Sequence, residues 1–339
     1  MKYILLAVLF LSGCAKVKTL NMNPHQFSQK HEHIVWMQIA GLSPEHLAMV
    51  RFGRDSADDK SALEFSQCMG SSWSFSLFAL RPSADLSFVS QMTGRKNITG
   101  DCSDYQQPMI WHYLDRVDYI SGIYEAEGPS SLLQSRKCPG ENQLLRDAYF
   151  WKMGKRPEEM PQLFYSNVDQ EPFSSAGVYF DDSCQTGVCF SSSLANVQSV
   201  YPRFVQGKGK TLFVYRDFSL QQALLKRDGA AAREALTSID QLYEYFILLA
   251  KKNPRTLVLL TGAAALPIEF PHQGKEWEQF DLKGKNITFK KEALLSPVFS
   301  FGAGAENFCG MMEESEIFKR ILWTPDQSQL EVDIKNILN

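Results

Sequence analysis

Apolar positions in this chain recur with two different periods, and the two alternate along it. The run "HIVWMQIAGL" (His33 to Leu42) is short, dense in apolar residues and closed by glycine, as expected of a strand buried on both faces. Ser43-Pro44-Glu45 follows it, with Ser43 suited to cap a helix and Pro44 to open one. In "SSWSFSLFALRPSADLSFVSQMTG" (Ser71 to Gly94) a Pro-Ser turn leads into a helical pattern through Leu86, Phe88, Val89 and Met92. There Ser83 can cap the helix, and Asp85 in the first turn favours its dipole. "DYISGIYE" (Asp118 to Glu125) and "KTLFVYRDF" (Lys210 to Phe218) read as further inner strands. From Ala230 to Lys252 the residues Ala235, Ile239, Leu242, Phe246 and Leu249 recur at three- and four-residue steps, giving a helix with one apolar face that Asn253-Pro254 stops. "TLVLLT", "SPVFSFGAGA" (Ser296 to Ala305) and "ESEIFKRILW" (Glu314 to Trp323) add two strands and a closing amphipathic helix.

Strands alternating with helices predict an α/β fold around a mostly parallel central sheet. Between Pro129 and Pro202 the pattern breaks into Pro, Ser and Gly punctuation, so residues 129–202 read as an inserted cap within a body spanning 33–339. The 339 residues, 44% of them hydrophobic, supply ample core for such a body. Net charge is −3 and no block of Lys and Arg occurs, which argues against a nucleic-acid partner, since that needs a concentrated basic face.

The first residues change the picture more than composition does. "MKYILLAVLFLSGCAKVK" has an early Lys and an apolar run from Tyr3 to Leu11, too short for a permanent span, so residues 1–13 read as a signal peptide. Leu11-Ser12-Gly13 before Cys14 resembles the lipobox of bacterial lipoproteins, which implies lipidation of Cys14 and a tether over 14–32. Acyl chains contribute about 0.8 kcal/mol per buried methylene, enough in combination for lasting membrane attachment. Ala15 does not match the Asp that retains such proteins in the inner membrane, so in a Gram-negative source the resemblance implies the outer membrane, facing the periplasm.

Six further cysteines in an exported chain predict disulfides, and Cys184 with Cys189, flanking a turn-like segment, are the safest pair. No CxxC pair or histidine at ligand spacing accompanies them, which weighs against a metal there. His31-Glu32-His33 could clip a metal at the surface, but alternate residues at a strand entry more often face solvent.

In order, "VWMQIAGLSPEHL", "SADLSFVSQMTG", "YISGIYE", "TLVLLTGAA" and "SPVFSFGAGAENFCG" resemble successive landmarks of the alkaline phosphatase and sulfatase superfamily over most of residues 34–322. The resemblance implies a three-layer α/β sandwich with two metal ions, usually zinc, at the carboxyl ends of strands and a nucleophile at a helix N-terminus. Carried over by position, the first metal-ligating Asp falls on Ala40 and the nucleophile on Ala84. An Asp and His four apart fall on Leu220 and Leu224, although a shift of three would bring in Asp217. An Asp-His pair falls on Ala263-Ala264 and a last His on Lys291.

Zinc needs three or four N, O or S donors, and neither Ala nor Leu offers a lone pair. The resemblance therefore implies a degenerate, metal-free site and no cofactor. From residues 263–265 alone, tight packing between strand and helix would explain the alanines equally well. Ser83, Arg216 and Lys291 could hold an anion in the vacated cleft, although Asp85 would compete with it. Two functional expectations follow: a non-catalytic lipoprotein that binds an envelope protein or glycan, or a hydrolase with a relocated site around Asp217, His272, Lys291, Asp181 and Asp182.

Overall fold

The computed structural model describes residues 30–52, 60–126, 128, 131–134, 138, 148–270, 288–290 and 293–322. Cys14, His272 and Lys291 lie outside these. The chain runs β1 (His33–Ala40), α1 (His46–Phe52), β2 (Cys68–Trp73), α2 (Ala84–Thr93), α3 (Cys102–Tyr105), α4 (Ile110–Asp115), β3 (Tyr119–Glu125) and α5 (Ser131–Gln134). Next come β4 (Tyr149–Lys152), β5 (Phe164–Tyr165), β6 (Val178–Asp181), α6 (Ser193–Val205), β7 (Lys210–Asp217), α7 (Ser219–Leu225) and α8 (Gly229–Lys252). It closes with β8 (Thr256–Ala263), β9 (Ile268–Glu269), β10 (Thr288–Phe289), β11 (Leu295–Gly302), β12 (Gly310–Glu313) and α9 (Glu316–Leu322).

Ten strands form one sheet in the order β12-β2-β11-β8-β1-β7-β3-β4-β6-β5, while β9 and β10 make a separate antiparallel pair. Only β11 runs against the rest, pairing antiparallel with both β8 and β2. The most apolar strand of the sequence is therefore the central one, with β7 on one side and β8 on the other. Both faces of the sheet are covered, which is why these strands carry apolar residues on both faces rather than at alternate positions only.

On one face Trp36, Val214 and Leu259 pack against Phe88 and Met92 of α2, Trp111 and Leu114 of α4, and Ile317 and Ile321 of α9. On the other, Met37, Phe213 and Leu260 pack against Val197 and Phe204 of α6, Leu220 of α7, and Leu236 and Phe246 of α8. The result is a three-layer sandwich. Among the described residues, no helix is long and apolar enough to cross a membrane.

The cap reading of residues 129–202 requires correction, because its described part widens the central sheet. β4 pairs with β3, β6 with β4 and β5 with β6, all in parallel, and α6 covers them. These strands are two to four residues long, too short to display a period between the Pro and Ser breaks around them. β2 likewise escapes a reading by pattern, since "CMGSSW" places serine and glycine at inner positions. At the top of β1, Gly41 takes a left-handed φ of 81°, and a Cβ there would stand 3.0 Å from Cα of Gln221 in α7.

Candidate functional site

The carboxyl ends of the parallel strands, together with the first turn of α2, bring most of the positions singled out by the motifs into one place. Ala40 ends β1 beside its register partner Ala263, which ends β8, and the Gly41 N–H donates to the Ala263 carbonyl at 2.8 Å. Ala84 opens α2 above them, and Ala40, Ala84, Ala263 and Ala264 share one apolar cluster with Trp36, Phe88 and Phe218. Ala264 adopts a left-handed φ of 47°, a conformation that glycine, asparagine and aspartate tolerate better than alanine.

Leu220 and Leu224 do not join this group. They are buried in the opposite apolar layer, because α7 turns its apolar face toward α8. Their assignment as site positions is corrected accordingly. On β7 the side chains that face the alanines are Arg216 and Phe218.

One residue deeper, polar groups remain but are neutral and linked to one another, with Gln38 Oε1 left without a partner. The Thr261 hydroxyl donates to Gln91 Oε1 at 2.8 Å and accepts from Trp36 Nε1 at 3.0 Å, while Gln91 Nε2 donates to the Gly262 carbonyl at 3.0 Å. Gln38 Nε2 reaches Gln91 Oε1 at 3.3 Å.

The charges described beside the alanines form a linked set that residue spacing did not reveal. Arg216 is fully buried at the end of β7, donating to Glu125 Oε2 at 2.8 Å and to Asp85 Oδ1 at 3.1 Å. Its guanidinium stands 5.2 Å from the Phe88 ring centre and 5.6 Å from that of Phe218. Glu125 in turn meets Lys152 Nζ at 3.1 Å, and that ammonium also donates to the carbonyls of Ala126 at 2.7 Å and Gly128 at 3.1 Å. Two cations thus face two carboxylates, with Arg216 and Glu125 fully buried and Asp85 partly exposed. A charged residue at the end of each apolar strand, Glu125 in "YISGIYE" and Lys152 in "YFWK", was the available signal.

This arrangement alters the anion-binding expectation. Arg216 is enclosed between two carboxylates rather than directed at a cleft, and the exposed Ser83 caps α2 through the Leu86 N–H at 3.4 Å. A metal fits no better. Alanine methyl groups stand at the strand ends, and Glu125 and Asp85 are both committed to Arg216. Among the described residues no group of three or more His, Cys, Asp or Glu could hold an ion.

Of the alternative site's described residues, Asp217 borders a cleft of about 370 Å³ together with Ser193, Ser219 and Lys226. Asp217 accepts from the Ser219 N–H at 2.7 Å and from the Tyr215 hydroxyl. Asp181 accepts from the Ser183 N–H at 2.9 Å and from Asn196 Nδ2, so both carboxylates hold loop structure in place, while Asp182 is exposed. Burial raises the Tyr215 and Tyr124 hydroxyls well above the ordinary tyrosine range.

His31 and His33 do not form a clip. His31 is buried, with its ring 2.7 Å from the Ile321 carbonyl, while His33 meets Thr211 Oγ1 at 2.9 Å. The cysteines pair as Cys184 with Cys189, Cys68 with Cys309 and Cys102 with Cys138. Two buried groups beyond the motifs are His46, whose pKa burial lowers to about 3, and Glu314, whose carboxyl burial pushes up to about 8.

This architecture is the alkaline phosphatase-like fold. Among solved structures, the alkaline phosphatase of the Antarctic bacterium TAB5 superposes with a TM-score of 0.67 at 13% identity, covering 87% of this chain and 97% of its own. The alkaline phosphatase of Thermus thermophilus gives 0.68 at 11% identity over 91% and 96%, and that of a psychrophilic Shewanella gives 0.66 at 13% over 85% and 98%. No family model matches the sequence, and no curated protein matches it.

Proposed function

We propose that this chain is a non-catalytic, membrane-anchored lipoprotein that uses an alkaline phosphatase-like fold as a binding or envelope-assembly module. One observation carries the reading: the strand ends hold Ala40, Ala263 and Ala264, the helix start holds Ala84, and the charges described beside them pair with one another. Esters of phosphate and sulfate need a nucleophile and positive charge at the developing oxyanion. Here the nucleophile position carries a methyl group, and the positive charge of Arg216 is taken up by Glu125 and Asp85. Loss of the whole donor set is also physically coherent, since buried carboxylates without a cation cost several kcal/mol each.

Incubation with zinc, desalting and metal analysis should find far less than one zinc per chain, and a panel of phosphate and sulfate esters should show no turnover. Stoichiometric zinc, or turnover abolished by His272→Ala, would end this reading. The second reading is a phosphoester or sulfoester hydrolase with a relocated site. It is favoured by the similarity to three alkaline phosphatases and by the polar cleft beside Asp217. It requires turnover that Asp217→Asn or His272→Ala removes.

A further inference from the structure

The amino ends of the parallel strands form a face opposite the site, and its charge differs from that of the chain as a whole. The last turn of α8 carries Lys251 and Lys252 and the loop after it Arg255, all exposed. Lys208 precedes β7 and Lys210 opens it, while Arg116 stands before β3 and Lys30 before β1. Strand register brings these loops together: His33 lies between Thr211 and Thr256, and Tyr119 lies beside Lys210. Lys30, Lys210 and Arg255 border a surface cleft of about 510 Å³, where Arg255 pairs with Glu32. Among the described residues, the carboxylates at this end include Asp115 and Asp118 before β3 and Glu306 after β11. Against a net charge of −3 for the protein, this face is locally cationic, whereas the strand ends at the other pole carry Glu125, Asp181, Asp182 and Asp217 with Lys152 and Arg216 paired to Glu125.

The described chain also begins on the cationic face, at Lys30. Sixteen residues separate Lys30 from Cys14, a reach of at most about 55 Å when fully extended. A lipid on Cys14 would therefore tether the molecule by its basic end. Charges on that end act on a bilayer only within a Debye length, about 8 Å at physiological ionic strength, so contact must be close. We propose that the amino-end face of the sheet, centred on Lys30, Lys210, Lys251, Lys252 and Arg255, docks on an anionic phospholipid surface. This inference rests on the lipid-anchor reading for its geometry, and on the charge of the face for its partner.

The test uses the full chain reconstituted into vesicles of phosphatidylcholine alone and of phosphatidylcholine with phosphatidylglycerol. Sedimentation with both kinds of vesicle reports the anchor. Docking is read separately, by amide exchange at residues 207–211 and 253–256, and is measured whether or not the anchor holds. Phosphatidylglycerol should slow exchange there about fivefold, the factor one cation contributes at an anionic surface, and high salt should remove the effect. Lys251→Glu with Lys252→Glu should abolish the protection, as should the milder Lys251→Gln with Lys252→Gln, while the Arg pair should retain it. Equal exchange in the two vesicle types would overturn the proposal. So would protection by a soluble anionic glycan at least as strong as that by phosphatidylglycerol, or protection that survives both charge-removing variants.

Discussion

Arg216 has the largest consequence of any single residue at the site, because two carboxylates depend on it. Arg216→Ala would leave buried Glu125 beside an apolar cavity with Lys152 as its remaining cation, and would remove one partner of Asp85. Removing one member of a buried ion set costs about 3–5 kcal/mol, a loss that denaturant unfolding would report. Ala264 offers the opposite case. Its left-handed backbone costs alanine about 1 kcal/mol, so Ala264→Gly should raise the unfolding midpoint even though it removes a methyl group from the cluster. Glu314 sets a pH dependence. The hydroxyls of Ser87, Ser74 and Ser90 face its carboxyl and partly offset burial, but neither oxygen has a hydrogen-bond partner. With its folded pKa raised to about 8 from about 4.5, the native state holds the proton more tightly than the unfolded chain does. Stability should therefore fall as pH rises from about 4.5 to 8 and level off above, and Glu314→Gln should flatten that slope in pH-resolved unfolding. Sequence position was informative at this scale only where backbone order decides the geometry. Ala40 and Ala263 are neighbours because the ends of β1 and β8 are in register, with Ala84 and Ala264 in the same apolar layer, whereas Glu125, Lys152 and Arg216 are joined by a register between distant strands that no spacing displays.

At the level of elements, long strong periods were readable and short ones were not. The helix read from Ala230 to Lys252 is α8 (Gly229–Lys252), and the strand of "TLVLLT" continues into the alanines themselves. The edge strands β4, β5 and β6 owe their place to pairing with neighbours rather than to their own sequence, so a stretch rich in Pro, Ser and Gly concealed half a sheet edge. β12 and β2 form the other edge, where Cys68 is bonded to Cys309 across 241 residues of chain. A bridge closing so long a loop restricts the unfolded chain strongly, in the range of about 4–5 kcal/mol. Cys309→Ser should lower the melting temperature accordingly, and thiol titration of unreduced wild-type protein should find the six paired cysteines unreactive.

For the whole molecule, the three-layer architecture was legible from the alternation of periods, while anchoring concerns residues beyond the described body. Cys14→Ser should move the protein from the membrane to the soluble fraction, and unchanged fractionation would remove the lipidation reading. The central position of β1 bears on how the molecule is made. Its partners, β7 and β8, begin at Lys210 and Thr256, so the first strand to leave a ribosome or a translocation pore cannot complete its ladder until more than half the polypeptide has followed. During that interval its apolar faces and both hydrogen-bonding edges are open to any passing strand. The folding rate should therefore be governed by the arrival of β8 more than by the formation of any helix.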